Sequence, residues 1–383
     1  MVTVLILKWL ICFFSFTYLF LIIAYWLSWN NLPVFSNESN IDNITKISII
    51  IPTRNEHENI ANCLQDINNQ SYPKHLFEIL IVNDDSTDDT VSIINEFKAS
   101  HPSLSLKVLN LDGQYHSKTY KKNAISLGIS QADGELIITT DADCRFGKDW
   151  IKTIASYHEK VHPKFISSPV CFINEKNLFE RMQTLEFLSL IGIGAAAINM
   201  NKPNMCNGAN IAFERKAYLD VNGYDNTNEP ASGDDMFLLL KMAKKYPHDI
   251  AFLKSKDVIV YTYPKKNISE FYQQRKRWAS KGTKYNDSSI TIVAAIVYFA
   301  NAVWLLNFIL LFLNSDFMNL FFIQTSIRAF IEVCFLFAVT SFFGRRKLLL
   351  RFPLTFIFNI FYVIIIGMLG SIGSYEWKGR TVK

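Results

Sequence analysis

The sequence predicts an α/β protein with transmembrane α-helices, in which helices cover both faces of a mostly parallel sheet. One observation behind this prediction is the distribution of charge. Only 19% of the 383 residues are charged, and four stretches contain almost no charge: 5–27, 290–313, 318–343 and 352–372. The second observation is that strand-like apolar runs alternate with helical patterns between the first two stretches. Such alternation is typical of a parallel sheet.

The four stretches of low charge predict membrane segments, because crossing a bilayer requires about 20 apolar residues. The first is longer than the apolar region of a signal peptide and no small-residue cleavage site follows it, so we expect a retained anchor at 1–28. The other three predict transmembrane or interfacial helices at 290–374, before a basic tail at 375–383. A purely soluble enzyme is excluded, and so is a transporter made mostly of helices, because the intervening block of about 260 residues has the size of water-soluble domains.

Basic residues predict the orientation in the membrane. Clusters of Lys and Arg favour the cytoplasmic side, and one lies between the third and fourth stretches: Arg345, Arg346, Lys347 and Arg351. Counting backwards from this loop predicts a cytoplasmic block at 29–289 in an integral protein of the plasma (inner) membrane. The same count puts the tail outside, although its Lys378, Arg380 and Lys383 would prefer the inside. One carboxyl-terminal segment is therefore expected to be re-entrant or interfacial.

Cysteine and charge content exclude several classes of site. The six cysteines form no C-x-x-C pair, so neither a zinc site nor a disulfide framework is expected. The formal net charge of +5 is small for this length, and we expect no nucleic-acid partner. Basic residues gather instead where the chain re-enters the membrane, which suits either anionic lipid headgroups or a phosphate: Arg275, Lys276, Arg277, Lys281 and Lys284.

The block begins with an isoleucine-rich run at 46–51 (KISIII) that stops at Pro52, which predicts a buried strand. A helix is predicted at 58–69, where apolar residues recur at spacings of four and three. The apolar stretch 185–200 is too short to span a bilayer and is expected to be a buried or interfacial helix. The same reasoning predicts strands at 78–82, 104–109 and 135–140, and helices at 88–97, 117–130, 235–245 and 269–280.

Polar clusters directly follow three of the predicted strands. They are PTRNE at 52–56, NDDSTDDT at 83–90 and DAD at 141–143. Each cluster alone would be explained by helix caps and turns, which prefer Asp, Asn, Ser and Thr. Ligands on parallel sheets bind beyond the carboxyl ends of the strands. Three clusters at this edge therefore favour a shared site.

Asp141 and Asp143 carry the most chemistry in these clusters. Two carboxylates separated by one residue at the end of a strand can face one divalent cation, and hard oxygen ligands suit Mg²⁺ or Mn²⁺ rather than zinc. A magnesium ion held by one or two carboxylates completes its shell with water and substrate phosphates. A diphosphate-bearing substrate is therefore predicted, although the sequence contains neither a P-loop nor a G-x-G-x-x-G turn.

These motifs resemble those of glycosyltransferase family 2, whose GT-A fold is Rossmann-like with a mostly parallel sheet. The resemblance runs from 47 to 282, and its separated motifs occur in the family's order. PTRNE resembles the opening nucleotide-binding motif, NDDSTDDT the V-D-D-G-S-T-D stretch, and DAD the D-x-D metal motif. Gly233-Asp234-Asp235 resembles the E-D motif that supplies the base, and 274–278 (QRKRW) resembles Q-x-x-R-W.

The resemblance implies a role for each matched residue. Asp235 is the implied catalytic base, and Asp143 and Asp141 are the implied metal ligands. The implied donor-binding residues are Pro52, Thr53, Arg54, Glu56, Asp84, Asp141, Gln274, Arg277 and Trp278. The implied acceptor side consists of Asn207, Gly208, Asp234 and Trp278.

Departures and simpler explanations stand beside these roles. Asn83 stands where the family often has Asp, Asp85 stands where Gly is common, and Asp234 replaces the usual Glu. Recognition of the base of the donor is therefore open in detail. Asp235 would serve equally as a helix cap, and Arg277 and Trp278 would both suit a membrane border.

The implied activity is transfer of a sugar, with inversion, from a UDP-sugar to a lipid or lipid-linked glycan acceptor. Q-x-x-R-W occurs by resemblance in processive polysaccharide synthases as well as in enzymes that glycosylate lipids. Only three membrane segments follow the block, fewer than we expect around a long translocation channel, which favours a single transfer. The alternatives are a processive polysaccharide synthase, a non-catalytic membrane scaffold that binds a nucleotide sugar, and a nucleotidyltransferase. Intact Asp141, Asp143 and Asp235 count against the scaffold, and a missing glycine-rich loop counts against the nucleotidyltransferase. The oligomeric state stays open.

Overall fold

A computed structural model describes residues 2–36, 44–111, 120–224, 233–280, 287–369, 375–377 and 380–382. The described strands are β1 (Ile47–Thr53), β2 (Phe77–Asn83), β3 (Leu106–Asn110), β4 (Leu136–Thr139), β5 (Phe165–Ser167), β6 (Val170–Phe172), β7 (Ile211–Glu214), β8 (Ile250–Phe252), β9 (Val260–Thr262), β10 (Tyr375–Trp377) and β11 (Arg380–Val382). The described helices are α1 (Val2–Asn31), α2 (Ile60–Asn68), α3 (Thr90–Ser100), α4 (Tyr120–Ser130), α5 (Trp150–Val161), α6 (Leu178–Asn199), α7 (Arg215–Asp220), α8 (Asp234–Lys245), α9 (Ile268–Ala279), α10 (Ser288–Leu313), α11 (Met318–Phe342) and α12 (Phe352–Leu369).

A mostly parallel sheet forms the centre of the block, as the sequence predicts. Its described strands run in the order β3-β2-β1-β4-β7-β5-β8. The first four are mutually parallel, and each lies within a few residues of a predicted strand. Ile49, Ile50 and Ile51 are fully buried in β1, because helices cover both faces of a parallel sheet and leave such a strand no polar side.

Short strands that the sequence does not predict complete the sheet. β7 lies antiparallel between β4 and β5, and β6 pairs with β9 in a separate two-stranded sheet. These strands have three or four residues each, too few for a periodic pattern to be recognised. The predicted helix at 117–130 is observed from residue 120, and its first three residues lie outside the described part.

The segment before β7 is held at the carboxyl end of β4 by a buried asparagine. Asn210 is fully buried, and its amide donates to the carbonyl oxygens of Pro169 and Val258, at 2.8 Å each. Its Oδ1 accepts from the indole nitrogen of Trp150 at 3.1 Å. Every polar atom of this side chain is therefore paired inside the core, which fixes the position of the loop.

Five helices in the described part are long and apolar enough to cross a membrane. They are α1, α6, α10, a segment at 315–342 that includes α11, and a segment at 346–368 that includes all of α12 but its last residue. The apolar segment of α6 is mostly buried, so α6 is a core helix between the block and the other four. A polar cluster joins α1, α10 and α11. Arg328 pairs with Glu332 at 2.8 Å and donates to Asn301 Oδ1 at 2.9 Å, while Tyr18 donates to Glu332 at 2.7 Å.

Lys254 and Arg345 are among the residues that join the block to these helices. The Lys254 ammonium donates to the carbonyl oxygens of Trp29 and Leu32 at 2.7 and 3.1 Å, at the end of α1. Arg345, in the loop after α11, pairs with Glu175 and donates to a carbonyl oxygen of β6. The basic loop and the block therefore lie at the same end of the helix bundle.

Consecutive membrane spans alternate in direction, so a third span after α10 and α11 would run parallel to α10. α12 does not. Asn301 meets Arg328 and Asn307 meets Gln324, so α10 and α11 are antiparallel. α12, however, places Phe356 on Trp304 and Gly367 against Tyr298. It therefore also runs antiparallel to α10, back towards the start of that helix, and the following strand β10 lies beside α9.

Candidate active site

A cavity of about 450 Å³ opens at the carboxyl ends of β1, β2 and β4, where parallel sheets bind ligands. Every residue that was assigned a site role from the sequence lines it: Pro52, Thr53, Arg54, Glu56, Asp84, Asp141, Asp143, Asn207, Gly208, Asp234, Asp235, Gln274, Arg277 and Trp278. The structure thus brings the separated motifs together in one cavity. The chemical role of each residue stays a prediction.

The loops after β1 and β2 are bonded to each other. Arg54 donates from Nη1 to the carbonyl oxygens of Asp84 and Asp85, at 2.6 and 3.1 Å, and the Asp84 amide donates to the Thr53 carbonyl at 2.9 Å. Asp85 has φ +51°, a left-handed conformation that Gly adopts freely and that Asp tolerates. This backbone conformation explains why Asp85 can stand where the family commonly has Gly.

The two carboxylates of the DAD segment have polar partners. Asp141 Oδ1 lies 2.8 Å from Lys121 Nζ, and Asp143 Oδ2 accepts from the Thr262 hydroxyl at 3.2 Å. Within the described ranges, no group of three or more His, Cys, Asp or Glu side chains is arranged to hold a metal ion. Two carboxylates on a cavity wall do fit a hard divalent cation that takes its remaining ligands from water and a diphosphate.

Lys121 is the main residue of this cavity that sequence reasoning missed. Its Nζ also lies 3.9 Å from Asp234 Oδ2, so it is located among the carboxylates. Burial alone would lower the pKa of Lys121, but the charges of Asp141 and Asp234 outweigh burial and raise it above its ordinary value of 10.5. The neighbouring Lys122 is buried, with its ammonium 4.5 Å from the Phe237 ring centroid.

Asp235 lies in the first turn of α8 and faces the loop that carries Asn207 and Gly208. Its Oδ2 accepts from the Gly208 amide at 3.0 Å, and its Oδ1 accepts from the Met236 amide at 2.9 Å. The helix cap that was considered from the sequence is not formed by Asp235, because Gly233 occupies the cap position of α8 and no side chain caps the helix there. The Asp235 carboxylate lines the cavity. Backbone donors fix its orientation, as a group that receives a proton from a bound molecule requires.

The α9 helix contributes Gln274, Arg277 and Trp278 to the cavity wall. Arg275 belonged to the cluster expected to meet lipid headgroups or phosphate, and this expectation is wrong for Arg275. Its side chain is 3% exposed and pairs with Glu186 of α6. The sequence did contain a sign of this buried ion pair, because Glu186 is the only charged residue in the apolar stretch 185–200 and would need a cationic partner there. Lys281 and Lys284 lie outside the described residues.

The far wall of the cavity is apolar. It is formed by β6, α6, the loop before β7 and the first turn of α10, through Phe172, Phe187, Leu190, Ile191, Met205 and Ile290. Ile290 stands where the chain enters the apolar helix α10. The cavity therefore extends from the carboxylates to the start of the apolar helix α10.

Two family models match this chain. One, described as Glycosyl transferase family 2, matches residues 48–221. The other, described as Glycosyl transferase family group 2, matches residues 136–371. The second match includes the DAD segment, α8, α9 and the apolar helices that follow them.

Individual relatives share a low sequence identity with this chain and align with only part of it. The chain is 27% identical over 251 residues to the poly-beta-1,6-N-acetyl-D-glucosamine synthase of Staphylococcus epidermidis, over 64% of this chain and 56% of that protein. It is 34% identical over 115 residues to the dolichyl N-acetyl-alpha-D-glucosaminyl phosphate 3-beta-D-2,3-diacetamido-2,3-dideoxy-beta-D-glucuronosyltransferase of Methanococcus voltae, over 30% of this chain and 34% of that protein. The matches thus span about half and a third of the lengths of these relatives.

A solved structure with a similar fold is the mannosyltransferase of Pyrobaculum calidifontis in complex with GDP-Man and Mn²⁺. The TM-score is 0.57 and the identity 18%, over 88% of this chain and 98% of that chain. The likeness establishes the fold as GT-A, in agreement with the mostly parallel sheet. Because the family group 2 model also covers more than half of the chain, this protein belongs to the family 2 glycosyltransferases.

Proposed function

We propose that this protein is an inverting glycosyltransferase of the plasma (inner) membrane that transfers a sugar from a UDP-sugar to a lipid or lipid-linked glycan acceptor. The observation that carries the proposal is the single cavity, which joins the carboxylates at the end of the sheet to an apolar wall at α10. The catalytic block is cytoplasmic in this proposal, because the basic loop Arg345 to Arg351 lies at its end of the bundle.

The donor occupies the sheet end of the cavity. Asp84 contacts the nucleoside, and the loops after β1 and β2, bonded to each other through Arg54, form its pocket. Asp141 and Asp143 would hold Mg²⁺ or Mn²⁺, a choice supported by the donor set and by the Mn²⁺ in the mannosyltransferase structure. When bound, such an ion would stabilise the negative charge that develops on the diphosphate. Arg277 pairs with the same diphosphate, as guanidinium groups do with phosphate.

Asp235 acts as the base. The acceptor hydroxyl oxygen forms a bond to the anomeric carbon, the bond from that carbon to the diphosphate oxygen breaks, and the hydroxyl proton passes to the Asp235 carboxylate. The nucleoside diphosphate leaves with the bonding electrons, so one displacement inverts the anomeric centre. The Gly208 and Met236 amides, which bond to the carboxylate, keep it aimed at the acceptor.

The acceptor end is assigned to a lipid because of the apolar wall. Phe187 and Ile191 of α6 and Ile290 of α10 line it, and an apolar chain that reaches this wall from the bilayer stays out of contact with water. The relative from Methanococcus voltae is named for transfer to a dolichyl phosphate-linked sugar, which supports an acceptor of this class.

Processive synthesis of a polysaccharide is the second candidate. It is favoured by the relative from Staphylococcus epidermidis, which is named a poly-beta-1,6-N-acetyl-D-glucosamine synthase and aligns over 64% of this chain. Extraction of the radiolabelled product separates the two candidates. A lipid product with one added sugar moves into organic solvent, whereas a long polymer stays in the aqueous or insoluble fraction.

Replacement of the base tests the proposal directly. Asp235→Asn keeps the shape of the side chain but cannot accept the proton, so we expect a fall in kcat of about 100-fold or more. Binding of UDP, measured by calorimetry, should stay close to that of the wild type. Asp149→Asn, which makes the same change at the start of α5, is the control and should keep full turnover.

Two outcomes would contradict the proposal. Unchanged release of UDP by Asp235→Asn would remove this residue as the base. Wild-type protein that binds UDP-sugars but never releases UDP, with any acceptor lipid or glycan and with either metal, would instead favour the membrane scaffold.

A further inference from the structure

A buried charge pair lies behind the helix that carries the Q-x-x-R-W motif. Arg275 of α9 pairs with Glu186 of α6, and their side chains are 3% and 4% exposed. Tyr362 of α12 donates its hydroxyl hydrogen to the other carboxylate oxygen of Glu186 at 2.7 Å. Glu186 therefore joins α6, α9 and α12 at one point.

The same arginine contacts two residues of the cavity. Its Nη1 donates to Gln274 Oε1 at 2.9 Å, and its guanidinium carbon lies 4.2 Å from the Trp278 ring centroid. Gln274 and Trp278 line the cavity. A planar guanidinium bonds through its edge while it stacks through its face, whereas a lysine ammonium can replace its charge but not its shape.

We propose that Arg275, held by Glu186 and Tyr362, is a positioning residue that sets Gln274 and Trp278 for sugar transfer. This inference rests on the function proposed above. Removing one partner of a buried ion pair leaves the other charge uncompensated, so α9 must shift or admit water. A shift of about 1 Å in a group that orients a substrate is enough to slow turnover strongly.

The donor should still bind when this link is broken. Asp84, Arg54 and Asp143 lie on the loops of the sheet and do not depend on α9 for their position. Arg277 of α9 also contacts the donor in the function proposed above, so the KM for the donor should rise, but by less than kcat falls. A purely structural role would lower the amount and stability of folded protein, and would leave the kcat of the folded fraction unchanged.

The chain offers a matched control in the polar cluster of the membrane helices. There Tyr18 donates to Glu332 at 2.7 Å, and Glu332 pairs with Arg328 at 2.8 Å. The Arg328 guanidinium carbon also lies over an aromatic ring, 4.7 Å from the Tyr18 centroid. This second Tyr-Glu-Arg group has the same chemistry and is absent from the lining of the described cavity.

The experiment compares matched variants of the full-length protein in lipid nanodiscs. Steady-state release of UDP gives kcat and KM, and thermal unfolding gives the stability of each variant. We expect Arg275→Lys to lower kcat about tenfold or more, with a donor KM within about threefold of the wild type. Tyr362→Phe, which removes one hydrogen bond, should lower kcat about threefold. Arg328→Lys and Tyr18→Phe should retain kcat within about twofold even where they unfold at lower temperature.

The possible results separate this inference from the proposed function. An active wild type with unchanged kcat in Arg275→Lys and Tyr362→Phe overturns the positioning role alone. So does a loss of kcat in all four variants that follows their loss of stability. A wild type that releases no UDP with any donor and acceptor overturns the proposed function and this inference with it. If Arg275→Lys does not accumulate as folded protein, the milder Tyr362→Phe decides.

Discussion

At the scale of single residues, the cavity concentrates negative charge around one lysine. Asp141, Asp143, Asp234 and Asp235 all line it, and Lys121 approaches Asp141 and Asp234 at 2.8 and 3.9 Å. Carboxylates a few ångströms apart repel each other strongly when they are shielded from water. The ammonium therefore lowers the free energy of this arrangement, and it also competes with any cation for Asp141.

Replacing this lysine should make the site bind metal more tightly. Lys121→Met removes the competing charge at similar volume, so we expect the affinity for Mn²⁺ without nucleotide to rise about tenfold, or about 1.4 kcal/mol. Isothermal titration calorimetry of the detergent-solubilised protein measures this affinity. The control is Lys107→Met on β3, which breaks the ion pairs of Lys107 with Glu78 and Asp133. It should leave the affinity for Mn²⁺ unchanged. An equal or weaker affinity in Lys121→Met would show that the lysine does not oppose the ion.

At the scale of elements, α6 is the link between the block and the other apolar helices. Its composition allows a membrane span, yet it is largely enclosed. Its Asn199 amide donates to Ser28 of α1, its Glu186 binds α9 and α12, and its Phe187 stacks on Phe172 of β6 at a centroid distance of 4.2 Å. A helix that is apolar all round is buried either by lipid or by protein, and here protein covers it.

The junction between the loop before β7 and the start of α8 has little free space. A Cβ added at Gly208 would lie 3.3 Å from the Cβ of Asp235 and 3.5 Å from its Oδ2. Gly208→Ala should therefore displace the carboxylate by a few tenths of an ångström. We expect kcat to fall about tenfold while UDP binding is retained, because small displacements of a base are costly to proton transfer.

A second glycine provides the comparison for this prediction. At Gly147 an added Cβ would be 3.7 Å from the nearest atom, the carbonyl oxygen of Asp257, which is an ordinary contact. Gly147→Ala should leave kcat unchanged in the same assay. Equal kcat values for the two alanine variants and the wild type would mean that the Gly208 amide does not determine where Asp235 acts.

At the scale of the whole molecule, the apolar helices form a bundle with the catalytic block at one end. α1 and α11 run parallel, as the contacts of Tyr18 with Glu332 and Trp29 with Phe342 require, and α10 runs the opposite way. α12 follows α11 after a short loop and yet does not reverse direction across the bundle. We therefore propose that α12 lies along the membrane surface or re-enters, as the basic tail suggests.

This arrangement predicts the side of the carboxyl terminus. A green fluorescent protein fused after Lys383 should lie on the same side as the catalytic block and be fluorescent in cells, because α12 returns towards the block. Alkaline phosphatase inserted after Asn314, in the loop between α10 and α11, should report the opposite side. Fluorescence measurements and phosphatase assays on intact cells test both positions. If the Lys383 and Asn314 positions report the same side, α12 is a complete span.

A feature of this protein can be predicted from the sequence when the interactions that form it are local. β1, β2 and β4 could be predicted because a buried strand needs an apolar run. The polar clusters that follow these strands could be predicted to meet because parallel strands place their carboxyl ends together. The four apolar stretches could be found because a bilayer imposes length and composition locally. The resemblance of the motifs then led to residues that do lie in one cavity.

Other features depend on partners that are distant in the sequence. Lys121 lies among carboxylates because α4 packs beside the end of β4 and the start of α8. Arg275 is buried because its partner Glu186 of α6 lies 89 positions away in the sequence. The direction of α12 depends on which faces of α6, α9 and α10 have room for it. The sequence by itself therefore determined the four parallel strands, the apolar segments and the motif residues, whose signals are local. Only the tertiary structure decided which charges are neutralised inside the molecule, since that depends on contacts no local pattern contains.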